Sequence, residues 1–305
     1  MFMKSTLILT LSFLIGNTFG QIRQEVKKES LKIFHGDKLI TEYRTDHDFP
    51  YLYPLIGPSG NHLTRHFPMD KSHGNEQQDH PHHRSFWFTH GQVNGHDFWH
   101  SPDHDSRIVH ESFSDQHEGS FTANLKWVHK EEVLLEEKRT YSFHIEKDQT
   151  MSIDVTSIFT AKTDVTFGDT KEGSFALRVT PTLRHEGKVA QGHLANSEGQ
   201  KDGDVWGQRA KWISCYGPDS EKKSVVISMM DHPDNLRHPT YWHARAYGLL
   251  AANPFGIKDF TKKGNGDLEL KKGVSLTQRY RILIQSGDFH RESVQKNYAE
   301  FAKRR

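Results

Sequence analysis

The segment TMSIDVTSIFT, residues 150–160, alternates apolar and polar side chains and is the clearest indication of the fold. Met151, Ile153 and Val155 fall on one face of an extended chain, because successive side chains of a strand point to opposite faces. Similar short runs, bounded by Gly, Pro, Asp or Ser, occupy residues 120–129, 133–141, 174–179, 212–216, 224–229 and 275–284. Period-two runs with turn residues between them predict an all-β fold, an antiparallel β-sandwich.

The rest of the chain divides into one predicted helix and two long loops. Val294, Tyr298 and Phe301 fall at helical spacing within residues 289–303, which predicts a short C-terminal helix. Residues 57–119 and 231–263 are rich in Gly, Pro, Asn, Asp and His. Long irregular segments on a β-scaffold are usually functional, so we expect the site in these two loops.

The N-terminus has the features of a secretory signal. Lys4 precedes an apolar run at residues 7–15, and Thr18, Phe19 and Gly20 resemble a cleavage site before Gln21. We therefore expect residues 1–20 to be a signal peptide and residues 21–305 to be a single β-sandwich catalytic domain, exported to a periplasm or secreted. The apolar run is too short for a membrane anchor, and no later segment is apolar enough to cross a membrane.

Composition narrows the function classes. The formal net charge is +1 and there is no basic run, which argues against nucleic acid as a partner. Cys215 is the only cysteine, so no internal disulfide can form. Histidine is the unusual residue, with 22 in 305 residues. Many of these histidines fall between His62 and His117 and are interleaved with Trp, Phe, Gly and Asp, which favours individually placed side chains over a metal-binding tract.

The first histidine segment is DHPHHRSFWFTHG, residues 79–91. If residues 81–89 are extended, His82 and Arg84 share one face, and His83 and Trp87 share the other. Three uses fit: metal ligation, acid–base catalysis, and anion binding with Arg84. A polar network in which the histidines only form hydrogen bonds is the structural alternative. The metal candidates are His80, His82 and His83.

The second segment is DHPDNLRHPTYWHARAYG, residues 231–248. As a strand it would place Tyr241, His243, Arg245 and Tyr247 on one face and apolar side chains on the other. A phenol, an imidazole and a guanidinium side by side supply an acid–base pair and an anion clamp; a surface ladder of polar groups is the alternative. A smaller motif, EGSFALRV at residues 172–179, places Arg178 opposite an apolar face, as an ion pair or a substrate contact.

The strings DHPHHRSFWFTHGQVNGHDFW, EGSFALRV, DHPDNLRHPTYWHARAYGLLAANPFG and LTQRYRILIQSGD resemble the secreted bacterial proteins labelled "PmoA family". The label is that of a membrane mono-oxygenase, and it fits this chain badly because the sequence lacks transmembrane segments. The resemblance spans residues 30–300 and implies a carbohydrate-enzyme β-sandwich from a polysaccharide-degradation system. Some such proteins look like oligosaccharide dehydratases, which implies an acidic oligosaccharide substrate, such as one from an ulvan-type glycan.

Elimination from a uronic acid suits these residue types. It needs a cation at the carboxylate, a base near C5 and an acid for the leaving C4 oxygen. The predicted catalytic residues are His82, His83, Tyr241 and His243. The predicted substrate contacts are Arg84, Trp87, Trp99, Arg178, Arg237, His238, Arg245 and Asn253. The sequence identifies no particular cofactor, and it leaves open a divalent metal and the oligomeric state.

Two other function classes remain open. Glycoside hydrolysis requires two carboxylates, and Asp79, Asp97 and Asp231 form no obvious pair in the sequence. A metal-dependent enzyme that modifies a neutral sugar belongs to the same alternative. A non-catalytic carbohydrate-binding protein is the third reading, in which the histidines contribute to affinity only.

Overall fold

The structure is a computed structural model that describes residues 22–304. The predicted signal peptide lies outside the described residues, so it and the assignment of one domain stay predictions. Within the described part, no helix is long and apolar enough to cross a membrane.

Residues 22–304 form 18 strands and two α-helices. In chain order these elements are β1 (Ile22–Val26), β2 (Leu31–His35), β3 (Lys38–Arg44), β4 (Tyr51–Leu52), β5 (Phe86–His90), β6 (Ser106–His117), β7 (Ser120–His129), β8 (Glu132–Ile145), β9 (Met151–Ala161), β10 (Val165–Phe167), β11 (Gly173–Arg178), β12 (His193–Asn196), β13 (Trp212–Pro218), β14 (Ser224–Asp231), β15 (Tyr241–Trp242), β16 (Leu249–Asn253), α1 (Ile257–Thr261), β17 (Leu268–Leu270), β18 (Ser275–Ser286) and α2 (Arg291–Phe301). Single 3₁₀ turns occur at Pro181–Leu183 and Asp202–Val205.

Two eight-stranded antiparallel sheets make up the sandwich. The first sheet has the order β1-β2-β3-β4-β5-β11-β16-β15, and the second has the order β12-β13-β14-β18-β9-β8-β7-β6. β10 and β17 pair separately. The prediction of an all-β antiparallel sandwich is confirmed.

Most of the predicted alternating runs are strands of the second sheet, and residues 174–179 fall in β11 of the first sheet. β9 buries Met151, Ile153 and Val155, and β8 extends the predicted run 133–141 to Glu132–Ile145. The C-terminal helix is confirmed as α2, which packs Val294, Tyr298 and Phe301 against the second sheet.

Aromatic side chains fill the space between the sheets. Phe88 of β5 lies 5.3 Å from Phe159, and Phe175 of β11 stacks at 4.5 Å on Tyr280, both distances between ring centroids. Strand alternation then turns Trp87 and its paired neighbour Ala176 to the opposite face of the first sheet. That outer face carries the candidate site.

The two predicted loops contain regular structure. Residues 57–119 include β5 and β6, and residues 231–263 include β15, β16 and α1. Every residue of β5 is buried, so it shows no alternation, and β6 is a largely polar edge strand. The expectation that residues 81–89 are extended is wrong for residues 81–85, because Ser85 has a φ of 54° and the strand begins at Phe86.

Candidate functional site

The site lies on the outer face of the first sheet, where four strands supply side chains in register. Trp87 of β5 pairs with Ala176 of β11, and Ala176 pairs with Ala251 of β16. The backbone NH of His243 donates to the carbonyl of Ala251 at 2.8 Å, so His243 continues this row. Tyr241 pairs with Asn253 and lies on the same face two residues earlier. The predicted common face of Tyr241 and His243 is present.

A buried charge cluster lies beside this row. Arg178 donates to Nδ1 of His83 at 2.9 Å and to Oδ1 of Asp79 at 2.8 Å. Arg65 donates to the same carboxylate oxygen at 2.7 Å. Burial and the charge of Arg65 lower the pKa of Arg178 to about 9, which leaves it a cation at neutral pH. Burial opposes the charge of Asp79, but Arg178 and Arg65 outweigh it and hold the pKa of Asp79 below its ordinary value.

Arg178 fixes the tautomer of His83. Because Arg178 can only donate, Nδ1 of His83 is the acceptor and its proton resides on Nε2. Burial, with neighbouring positive charges, lowers the pKa of His83 well below its ordinary value. His83 is 0% exposed. We therefore regard it as a neutral side chain beneath the site, unsuited to the predicted role of base.

His80 sits above His83 at the surface of the site. Its ring stacks on His83 at 4.7 Å and on Tyr247 at 5.1 Å. Its Nδ1 lies 2.9 Å from Oδ2 of Asp79, and 39% of its side chain is exposed. Its φ of 45° is uncommon for a residue other than glycine, and such strain is concentrated at functional positions.

A second carboxylate–histidine pair, Asp97 with His100, lies against the ring of His82. Nδ1 of His100 lies 2.8 Å from Oδ2 of Asp97, and the ring of His100 contacts that of His82 at 4.3 Å. The hydrogen bond to Asp97 raises the pKa of His100 above its ordinary value. Burial lowers the pKa of His82 to about 3, so His82 is neutral at physiological pH.

His243 is oriented by the backbone. Its Nδ1 lies 2.8 Å from the carbonyl of Lys171, so Nδ1 carries the proton and Nε2 keeps its lone pair. Burial lowers its pKa to about 4, although the charge of Glu172 opposes this. The charge of Glu172 also makes a small contribution that raises the pKa of His100 and of Tyr247.

Three imidazoles of the site have an acceptor near Nδ1, which forms a hydrogen bond with His100 and with His243 but only an ion-pair contact with His80. Nδ1 of His80, His100 and His243 faces Asp79, Asp97 and the Lys171 carbonyl respectively. An acceptor at Nδ1 fixes the ring orientation and leaves Nε2 to act on a ligand. Proton transfer is the chemistry that such an array supports.

Two exposed guanidinium groups, of Arg245 and of Arg209 over the Tyr241 ring, and an aromatic wall border the array. Arg245 is exposed, and its guanidinium lies 5.7 Å from the Tyr247 ring and 6.0 Å from the Trp206 ring. Phe260 stacks on Tyr241 at 5.5 Å and contacts Trp206 at 5.7 Å. Trp206 and Tyr241 are partly exposed and Phe260 is buried behind them, an arrangement that suits stacking on a sugar ring.

Four of the predicted substrate contacts are engaged elsewhere. Arg237 donates to the carbonyls of Pro254, Gly266 and Asp267. His238 is paired with Asp231 at 2.8 Å. Asn253 is 0% exposed and binds backbone groups of residues 170, 255 and 256. Arg84 lies over the Tyr51 ring. These contacts stabilise the fold, and we give these residues no role in catalysis.

The predicted tryptophans lie under the site. Trp87 and Trp99 are 1% and 0% exposed, with ring centroids 5.4 and 5.7 Å from His83. Their role in the structure is to support the histidines from below. The metal candidates His80, His82 and His83 do not form a group of three converging ligands in the part of the chain that the structure describes.

The sequence analysis assigned no role to Lys171, Glu172 or His100, and it named Asp97 and Tyr247 without giving either a role in elimination. Lys171 and Glu172 form a close ion pair just before β11 and lie over the outer face. No local pattern marks these two residues, because only the fold brings them to His243. A signal did exist for His100: Asp97 precedes it by three residues, a spacing that allows the observed pair.

The model of a family described as "Family of unknown function (DUF6807)" matches residues 30–299. This match does not support the label "PmoA" that the sequence resemblance suggested. No curated protein matches the chain significantly.

Solved structures similar to this chain include proteins named for action on sugars. A provisionally named kojibiose phosphorylase from the human microbiome has 12% identity and a TM-score of 0.39; the match covers 94% of this chain and 37% of that one. A galactose mutarotase-like protein from Clostridium acetobutylicum has 9% identity and a TM-score of 0.37, covering 89% of this chain and 100% of the other. The polysaccharide lyase BACCELL_00875 has 9% identity and a TM-score of 0.31, covering 88% and 33% respectively. This chain thus spans about a third of the phosphorylase and of the lyase. Similarity at these identities and TM-scores assigns no activity to this chain.

Proposed function

The chain belongs to the DUF6807 family, whose function is unknown, and from its site we propose that it is an exported carbohydrate dehydratase. The substrate is an oligosaccharide that ends in a uronic acid, and the product carries an unsaturated terminal sugar. The observation that supports this most is the group of three imidazoles with an acceptor near Nδ1, those of His80, His100 and His243, together with the exposed Arg245.

The reaction breaks two bonds of the terminal sugar. A base takes the C5 proton, the electron pair forms the C4–C5 double bond, and the C4 oxygen leaves with its bonding electrons. An acid protonates that oxygen, so that water is released. The C5 proton becomes acidic enough only when the neighbouring carboxylate is neutralised, which requires a cation close to it.

His80 is the proposed base. It has the exposure that a base needs, and the position of Asp79 leaves the lone pair on Nε2. The predicted bases are less suited: His83 and His243 are almost fully buried, and burial lowers the pKa of His82 and His243 to about 3 and about 4. His243 keeps a neutral Nε2 that accepts a hydrogen bond from a sugar hydroxyl.

His100 is the proposed acid. Asp97 raises the pKa of His100, so at neutral pH a larger fraction of the molecules carries the transferable proton on this imidazole. Arg245 is the proposed carboxylate contact, because it is the exposed guanidinium beside Tyr247 and the aromatic wall. Tyr241, on the His243 face, positions the sugar.

The carboxylates of the site favour elimination over glycoside hydrolysis. A glycosidase needs one carboxylic acid that stays protonated, hence a raised pKa. The pKa values of Asp79 and Asp97 are instead lowered, because the ion pairs and hydrogen bonds that they receive outweigh their burial. Glu172 is paired with Lys171. Asp79 and Asp97 thus face histidines as carboxylates and Glu172 is held by Lys171, so none of the three is suited to protonate a glycosidic oxygen.

The decisive experiment offers the purified protein a panel of oligosaccharides with terminal uronic acids. Ultraviolet absorbance of a conjugated enoate should rise, and mass spectrometry should show the loss of one water without chain cleavage. Neutral oligosaccharides are the control. New reducing ends without an enoate would instead establish a hydrolase, and saturable binding without either product would establish a binding protein.

The Asp97–His100 pair predicts a specific pH dependence. An acid catalyst is active while protonated, so activity falls as pH rises through the pKa of His100. D97N removes the carboxylate that raises this pKa. The alkaline limb of the kcat/KM profile should therefore move to lower pH, with the acidic limb in place. A profile that D97N lowers uniformly without displacing either limb would remove His100 from the acid role.

A further inference from the structure

A second group of possible ligands lies outside the proposed active site. His185 follows the 3₁₀ turn Pro181–Leu183, His193 begins β12, and Asp202 begins the 3₁₀ turn Asp202–Val205. Their ligand atoms all lie within 4.8 Å of one another. Nδ1 of His185 lies 3.3 Å from Oδ1 of Asp202, and Nδ1 of His193 lies 3.4 Å from it. Both imidazoles thus face the same carboxylate with the same atom.

The distances fit a shared cation better than direct hydrogen bonds. Three hydrogen-bonded histidine–carboxylate pairs of this protein are closer: His66–Glu76 at 2.7 Å, and both His100–Asp97 and His238–Asp231 at 2.8 Å. Ligands bound at 2.0–2.1 Å around a tetrahedral ion are separated from one another by about 3.3–3.4 Å. The distances from Oδ1 of Asp202 to the Nδ1 atoms of His185 and His193, 3.3 and 3.4 Å, match this ligand–ligand separation.

Nδ1 of His185 gives an independent indication. It is buried and has no hydrogen-bond partner within residues 22–304, although Asp202 is only 3.3 Å away. A buried ring nitrogen without a partner is unfavourable unless another group engages it. Asp202 is itself oriented, because the backbone NH of Leu194 donates to its Oδ1 at 2.9 Å. Supporting contacts of this kind are usual around metal ligands.

We propose that His185, His193 and Asp202 bind one divalent transition-metal ion of the Zn²⁺ class. Two imidazoles and a carboxylate suit zinc, and water completes its coordination because 56% of the His193 side chain is exposed. The ion adds to backbone hydrogen bonds that already join these segments, such as that from the Gly192 NH to the Arg184 carbonyl at 2.9 Å.

The position of the ion ties it to the rim of the proposed active site. The backbone NH of Glu186, next to His185, donates to the carbonyl of Ala246 at 3.1 Å. Ala246 lies between Arg245 and Tyr247. On the other side of the ion, the turn that begins at Asp202 ends next to Trp206, 6.0 Å from the Arg245 guanidinium. The metal therefore fixes this wall and takes no part in the proton transfers.

Direct metal binding tests the proposal. Protein without a polyhistidine tag is treated with chelator, desalted and titrated with Zn²⁺ by calorimetry and with Co²⁺ by visible absorption. We expect one equivalent to bind and to raise the melting temperature of the protein. H193A and D202N should each weaken binding at least about tenfold, since each removes a ligand. H117A, which removes an exposed histidine of β6, should bind as the wild type does.

Each outcome bears on the site. Unchanged affinity in H193A, or affinity lost in H82A instead, would overturn the proposal, as would the absence of stoichiometric binding to the wild type. If D202N does not fold, H193A decides the question because its side chain is largely exposed. Metal content and melting temperature need no substrate, so this result stands whether or not enoate formation is found.

Discussion

H80N is expected to lower the rate of enoate formation by about 10²- to 10⁴-fold, the usual contribution of a positioned general base. Asparagine keeps a donor near the place of Nδ1, where Asp79 lies 2.9 Å away, and removes the Nε2 lone pair. The stack between His83 and Tyr247 loses an aromatic ring, but the Arg178–Asp79 ion pair beneath it is untouched. The loss should therefore appear mainly in kcat, with KM changed less.

His104 provides a matched control for this substitution. It is also a histidine with positive φ, 56°, and its Nδ1 also faces an aspartate, Asp48 at 2.6 Å. Its side chain is 73% exposed and makes none of the contacts described for the site. H104N should retain full activity. Comparable losses in H80N and H104N, or an H80N enzyme that turns over normally, would exclude His80 as the base.

The fold was predictable where one face of a strand is buried and the other is not. β9 and β8 lie in a sheet of this kind, and their alternation identified them. β5 gave no such signal because both of its faces are buried, one under Phe159 and the other under His83 and Trp99. β6 was hidden for the opposite reason, since an edge strand tolerates polar side chains on both faces.

The site was predictable as two segments but not as a set of contacts. Period-two reasoning placed Tyr241 and His243 correctly on one face, because they lie on a regular strand and its extension. It failed for residues 80–85, where His80 and Ser85 adopt positive φ and break the alternation. The partners that define the chemistry lie far away in sequence: Arg178 is 95 residues from His83, and Lys171 is 72 residues from His243. The local pattern of a single sequence carries no information on contacts between residues so far apart.

R139M is expected to destabilise the protein by about 3–5 kcal/mol, the usual effect of leaving one member of a buried ion pair alone. Both side chains of the Arg139–Glu137 pair are 0% exposed, and Nε of Arg139 lies 2.7 Å from Oε1 of Glu137. Arg139 also donates to the carbonyl of Phe88, which links the second sheet to β5 beneath the proposed site. Burial opposes its charge, but Glu137 outweighs burial and raises the pKa of Arg139 above its ordinary value. Methionine fills similar volume, so the loss comes from the unpaired carboxylate and not from a cavity.

Two further variants separate the charge from the packing. E137Q/R139M removes both charges and keeps an acceptor for the Trp127 indole NH, which donates to Glu137 at 2.7 Å. This double variant should recover much of the stability lost in R139M, because no uncompensated charge remains buried. K162M breaks the pair between Lys162 and the adjacent Glu136, in which both side chains are about half exposed, and should change the free energy of unfolding by less than about 1 kcal/mol. Urea unfolding of the three variants measures the differences. If R139M unfolds like K162M, or if the double variant is no more stable than R139M, the buried pair does not hold the sheets together in the way that its geometry indicates.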